Sequence, residues 1–236
     1  MTLKSSDIST KVQSLADPER AKILARYFKT GPGECGEGDI FIGLKVPQVR
    51  KLAREFKGIS IEESLKLLKS PIHEERLLAL FLLIQIFNKG DEAVRERVHG
   101  LYLENTRFIN NWDLVDTTAS HIIGDYLFDK ERKPLYKLAK SDLLWDRRIA
   151  ILSTLYFIRK NNFDDTLQIA QQLLADKEDL IPKAVGWMLR EVGKRDIDVE
   201  KGFLAKHYKI MTRTMLRYAI EKFPKEERVA YLKGEV

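Results

Sequence analysis

Apolar residues along this chain recur at spacings of three and four, and no segment shows the period-two alternation of a half-buried strand. The first clear element opens at Asp17-Pro18-Glu19-Arg20, an N-cap, a proline at the first helical position and an acid in the first turn. It is expected to run to about Thr30 and stop at Gly31-Pro32. Pro47 to Phe56 carries Val49, Leu52, Ala53 and Phe56 on one face, and Ser60 to Lys69 carries Ile61, Leu65 and Leu68. The helix expected over Glu74 to Phe87 is apolar around most of its circumference and therefore well buried. Further helices are expected at 91–104, 111–127, 132–140, 144–160, 163–174, 180–193, 198–207, 211–222 and 225–232. Turn residues such as Asn88-Lys89-Gly90-Asp91, Asn161-Asn162 and Gly193-Lys194-Arg195-Asp196 separate them.

Similar charged-then-apolar segments begin near Glu75, Val115, Arg147, Pro182 and Thr212, roughly every 30–40 residues. That period fits degenerate helical hairpins stacked on their neighbours. The expected fold is all-α: a right-handed α-solenoid of HEAT-like repeats, one domain over residues 1–236, whose inner helices line a concave basic groove.

Composition narrows the partners. A formal charge of +6 permits a nucleic-acid partner without requiring one. One cysteine, Cys35, excludes an intrachain disulfide framework and a cysteine-rich zinc site. It lies in the glycine-rich loop Gly31–Gly38, which lacks the Lys-Ser/Thr ending of a phosphate loop and reads as a surface connection. His73, His99, His121 and His207 show no metal-ligand spacing, so no metal or other cofactor is expected. The polar start of the chain and the lack of a long apolar run point to a cytoplasmic protein.

All three tryptophans stand beside charges on helical segments. Trp112 and Asp116 are one turn apart and share a face, whereas Asp113 is rotated about 100° from Trp112. Trp145 and Arg148 are spaced i, i+3, and Lys183 and Trp187 i, i+4, with Arg190 one turn on. Lys183, Lys194, Arg195, Arg213 and Arg217 could form a solvated face, but their recurrence at repeat positions favours phosphate contacts. Tryptophan in helical proteins is ordinarily core, and Arg190 and Glu191 also read as pairing with neighbouring helices.

The motifs Trp112-Asp113-Leu114-Val115-Asp116, Trp145-Asp146-Arg147-Arg148-Ile149-Ala150-Ile151-Leu152 and Lys183-Ala184-Val185-Gly186-Trp187-Met188-Leu189-Arg190-Glu191 resemble those of the AlkD-like DNA alkylation repair glycosylases. Val46–Ala53 and Thr212–Ala219 resemble the same family. The resemblance implies a HEAT-like solenoid, acting as a monomer, that grips duplex DNA containing alkylated bases and excises cationic N3- and N7-alkylpurines without a metal. Carried over by residue, the site carboxylate falls on Asp116, the aromatic partners on Trp112 and Trp187, and the site arginine on Arg148. Arg147, Lys183, Arg190, Lys194, Arg213 and Arg217 become the DNA-backbone contacts. The competing expectation is a non-catalytic HEAT-repeat scaffold for DNA or protein. A metal-dependent nuclease is disfavoured by the lack of clustered carboxylates.

Overall fold

The computed structural model describes residues 3–236, which are predominantly helical; the one strand-like pairing among them is a parallel bridge between Ile40 and Ile72. No helix among the described residues is long and apolar enough to cross a membrane. The chain divides into two compact units, one ending at Thr118 and the other Ala119–Val236.

The first unit is built on the helix His73–Lys89. Leu77, Leu78, Leu80, Leu82, Leu83 and Phe87 are all buried, at roughly 1.5–3 kcal/mol of transfer free energy each. Val46–Glu55, Ile61–Leu68 and Glu92–Glu104 pack on it, and Ser60 and Asp91 cap the last two by accepting from Glu63 N and Val94 N. Its first turn is polar and equally buried. There Glu74 accepts from the amides of Ile42, Gly43 and Leu44, and so fastens the segment before Val46 to the core helix.

A helix at Ser5–Gln13 was not expected from the polar amino terminus. It forms because Ile8 and Val12, one turn apart, are fully buried, while Ser5 and Ser9 bond Glu63 and Glu75. The helix opened by Asp17 is Pro18–Tyr27, with Asp17 accepting from Arg20 N.

The second unit is centred on the helix Leu180–Gly193, against which Leu144–Ser153, Ile197–His207 and Arg213–Ala219 pack. Three of the recurring segments thus lie side by side in this unit. Gly186 sets the closest approach: a methyl group there would stand 2.4 Å from Met215 O, so only glycine lets the backbones meet.

Two expected helices are divided. Residues 111–127 give Trp112–Asp116, a π-helical turn Ser120–Gly124 and a last turn Asp125–Leu127. Thr117 and Thr118 bond back to Asp113 O and Leu114 O at the break, competing with the helical ladder. Residues 144–160 divide at Thr154, where Ser153 and Thr154 bond back to Ile149 O and Ile151 O. Apolar spacing carries no mark of either break, because the buried face continues across both.

Candidate DNA-repair site

The five-residue helix Trp112–Asp116 begins at Asn111, whose side chain accepts from Trp112 N at 2.8 Å. Trp112 and Asp116 are both partly exposed, while Asp113, Leu114 and Val115 between them are buried. The helix therefore leaves Trp112 and Asp116 partly exposed and buries Asp113.

What holds the indole is an aromatic column. Trp112 stacks on Phe28 (centroids 4.9 Å, planes 14° apart), Phe28 on Phe41 at 4.8 Å, and Phe41 on the His73 ring at 4.2 Å. Tyr27, 65% exposed, meets Trp112 edge-on at 5.9 Å and extends the aromatic surface.

At the foot of the column His73 donates from both ring nitrogens, to Asp39 Oδ2 and Asp113 Oδ2, each at 2.9 Å. Burial pushes the imidazole down, but hydrogen bonds and charge from Asp113 and Asp39 outweigh it and raise its pKa to about 9. Burial likewise pushes Asp39 up; His73, the Arg76 guanidinium and Asn111 together hold it below the usual carboxylate range. Asn111 donates to Asp39 Oδ2 at 2.9 Å while capping the tryptophan helix, so the network grips that helix at its start. Asp39 itself arrives on the glycine-rich loop. That loop is more than a connection: Gly36 N bonds Lys29 O, Gly31 N bonds Glu34, and Gly33 N bonds Glu37.

Sequence reasoning missed Tyr27, Phe28, Asp39, His73 and Asn111. The available signals were two adjacent aromatics ending a helix and the polar run His73-Glu74-Glu75-Arg76 ahead of an apolar one.

The second unit carries the other candidates. Trp145, Arg147 and Arg148 lie in the first two turns of Leu144–Ser153. Trp145 is partly exposed; Arg148 is 5% exposed and donates to Leu180 O at 2.6 Å, reaching the start of the helix that bears Trp187. Arg147 is tied to Asp176 at 2.6 Å and to the carbonyls of Ser141 and Asp142.

Along Leu180–Gly193 and just past it, Lys183, Trp187, Arg190 and Lys194 form one stripe at i, i+4, i+7 and i+11. Trp187 is partly exposed and its indole N–H donates to Glu191 at 3.1 Å; Lys194 pairs with the same carboxylate at 2.6 Å. Lys183 pairs with Asp179 and Arg190 with Glu221. On the adjacent helix Arg213 bonds Leu232 O, whereas Arg217 is exposed. Arg195 donates to Arg159 O at 3.2 Å. Most of the basic candidates thus hold internal partners that a phosphate would have to displace.

The described residues thus form a helical protein with Trp112 and Asp116 partly exposed in one unit and Trp187 partly exposed among basic side chains in the other. The family described as DNA alkylation repair enzyme matches residues 8–223, and this chain belongs to that family. Among curated proteins no relative matches at a significant level. Solved structures agree in fold. A predicted DNA alkylation repair enzyme from Enterococcus faecalis is 18% identical, with a TM-score of 0.67 over 89% of this chain and 97% of that one. AlkD2 from Streptococcus mutans is 18% identical, TM-score 0.55, over 94% and 100%. The protein smu.31 from Streptococcus mutans UA159 is 19% identical, TM-score 0.53, over 93% and 98%.

Proposed function

We propose that this protein is a DNA glycosylase that releases N3- and N7-alkylated purines from duplex DNA by metal-independent hydrolysis of the N-glycosidic bond. The observation that carries the reading is that Trp112 and Asp116, one turn apart on a short helix, are both partly exposed while Asp113 is buried against His73.

Those residue types match the chemistry. Alkylation at N3 or N7 makes the purine cationic, so it leaves with the bonding electron pair as a neutral base and needs no general acid. The sugar becomes oxocarbenium-like as that bond stretches. Asp116 stabilises the developing positive charge, orients a water for attack at the anomeric carbon and takes its proton as the new carbon–oxygen bond forms. The indole of Trp112 faces the cationic lesion and sugar, each contact of this kind being worth about 0.5–2 kcal/mol. In the second unit Trp187 offers a further indole face, and Arg148, buried and bound to Leu180 O, orders the start of the helix that carries it. The stripe of Lys183, Arg190 and Lys194, with Arg213 and Arg217, supplies salt-dependent affinity rather than sequence specificity, while Arg147 stays on Asp176. The HEAT-like repeat arrangement with a basic concave face belongs to the same proposal, supported by the packing of the recurring segments in series within the second unit.

The test is release of methylated base from alkylated duplex DNA in the presence of a chelator. Asp116→Asn is expected to lower the rate by about 10²–10³-fold with binding largely retained. Wild-type rates in that variant would reject Asp116 as the site, and absence of release by the unaltered chain would leave a non-catalytic DNA-binding scaffold as the reading.

A further inference from the structure

Asp39 follows the glycine-rich loop and is buried. Donors from two other parts of the first unit converge on it. Its Oδ2 accepts from His73 Nδ1 and Asn111 Nδ2, each at 2.9 Å, and its Oδ1 accepts from the Arg76 guanidinium. Arg76 Nη2 also donates to Asn110 Oδ1 at 3.2 Å, and His73 holds Asp113. One carboxylate thus governs the chain entering the Trp112–Asp116 helix at three points: Asn110 through Arg76, Asn111 directly and Asp113 through His73.

That helix has five residues, little more than one turn, and isolated helices below about 12–15 residues are marginal in water. Its placement is therefore set from outside. Capping alone does not call for this arrangement, since serine, threonine or aspartate before Trp112 would accept from its amide as well. Asn111 is fully buried and spends its side-chain N–H on Asp39, a second bond for which aspartate lacks the donor and serine the reach. The loop backbone is fitted to the same place. A methyl group on Gly36 would stand 2.5 Å from Phe28 O and 3.1 Å from Asn111 Nδ2, so the loop lies against both the floor of the Trp112 indole and the cap of its helix.

We infer that Asp39 is a positioning residue, fixing from the end of the glycine-rich loop where the Trp112 indole and the Asp116 carboxylate stand. It touches no substrate and acts through Asn111, His73 and Arg76.

The experiment compares Asp39→Asn, Asn111→Asp and the two together. Asp39→Asn leaves one acceptor oxygen for three donors, and Asn111→Asp sets carboxylate against carboxylate; together they restore one amide and one carboxylate with the bond reversed. Kinetics here rest on the glycosylase reading, whereas the state of the indole is read without DNA. In base release from alkylated duplex DNA, each single change is expected to lower kcat per folded chain by about tenfold or more with KM within about threefold, and the pair to recover most of the loss. In a chain also carrying Trp145→Phe and Trp187→Phe, acrylamide quenching reports Trp112 alone; each single change should raise its quenching constant about twofold or more by loosening the stack on Phe28, and the pair should lower it again. A role in stability alone reduces the folded fraction and leaves both readings per folded chain unchanged, which would overturn the inference. Failure of the pair to recover either reading would place the losses outside this bond and overturn it as well. Should the acid variants fail to fold, Asn111→Ser, which keeps the cap and loses Asp39, decides by the same two readings. Absence of base release by every chain would remove the glycosylase reading, and the quenching of Trp112 would then decide the positioning role by itself.

Discussion

Phe28 forms the floor on which Trp112 rests, the two rings 4.9 Å apart and nearly parallel. The outward indole therefore has one face against protein and is held from behind rather than swinging free. Phe28→Leu keeps most of the apolar volume and removes the stacked partner. It should cost about 0.5–1.5 kcal/mol in stability, read by urea unfolding, and lower base release more than that loss of folded protein explains. An unaltered release rate would show that Trp112 does not need its support.

His73 gives the first unit a pH signature. Its folded pKa, about 9, lies above the ordinary histidine value of 6.5. The stability it contributes is thus fully present below pH 6.5 and lost as pH rises through 9. Chemical denaturation at pH 6, 7.5 and 9 should show that decline, and His73→Gln should flatten it. The substitution should also cost about 3–5 kcal/mol at neutral pH, because Asp39 and Asp113 would remain buried without their shared cation.

Glu200 gives the second unit a different window. Its folded pKa, raised by burial to about 8, exceeds the ordinary carboxylate value of 4.5, so the folded state keeps a proton that the unfolded chain gives up. Stability is greatest below pH 4.5 on this account, falls between 4.5 and 8 by up to about 1.4 kcal/mol per pH unit, and is level above. In a Glu200→Gln variant that fall should vanish while the His73 decline persists; parallel curves for variant and wild type would refute the assignment.

Arg217 and Arg147 should separate under salt. Arg217 is exposed, and Arg147 is bound to Asp176 and two carbonyls. Measured DNA affinity against salt concentration should lose about one unit of slope in Arg217→Ala. Arg147→Ala should change the slope little and reduce thermal stability, since its partners are internal. A reversed ranking would mean that Arg147 exchanges its partners for phosphate.

The helical class was legible because buried faces at three- and four-residue spacing are a local property, and caps such as Asp17, Ser60 and Asp91 act within one turn of themselves. The one-turn spacing of Trp112 and Asp116 on a helix is local in the same way. What stayed hidden depends on contacts across many residues. Asp39 meets His73 across 34 positions and Asn111 across 72, and nothing in either neighbourhood announces the other. The helix breaks near Thr117 and Thr154 hide too, since hydroxyls bonding back to the ladder leave the apolar pattern intact. Glu200 was passed over because an acid in a charged helix looks solvated until its neighbours are placed.

Gly186 has a consequence for how this surface could change over time. With Met215 O pressed against its bare α-carbon, neither helix can slide by a residue or rotate to accommodate a new side chain there. The row bearing Trp187 and the row bearing Arg217 are consequently locked in step, like teeth of two meshed racks. Variation in the charge of this face has to come from exchanging the cations themselves, because their spacing is not free to drift.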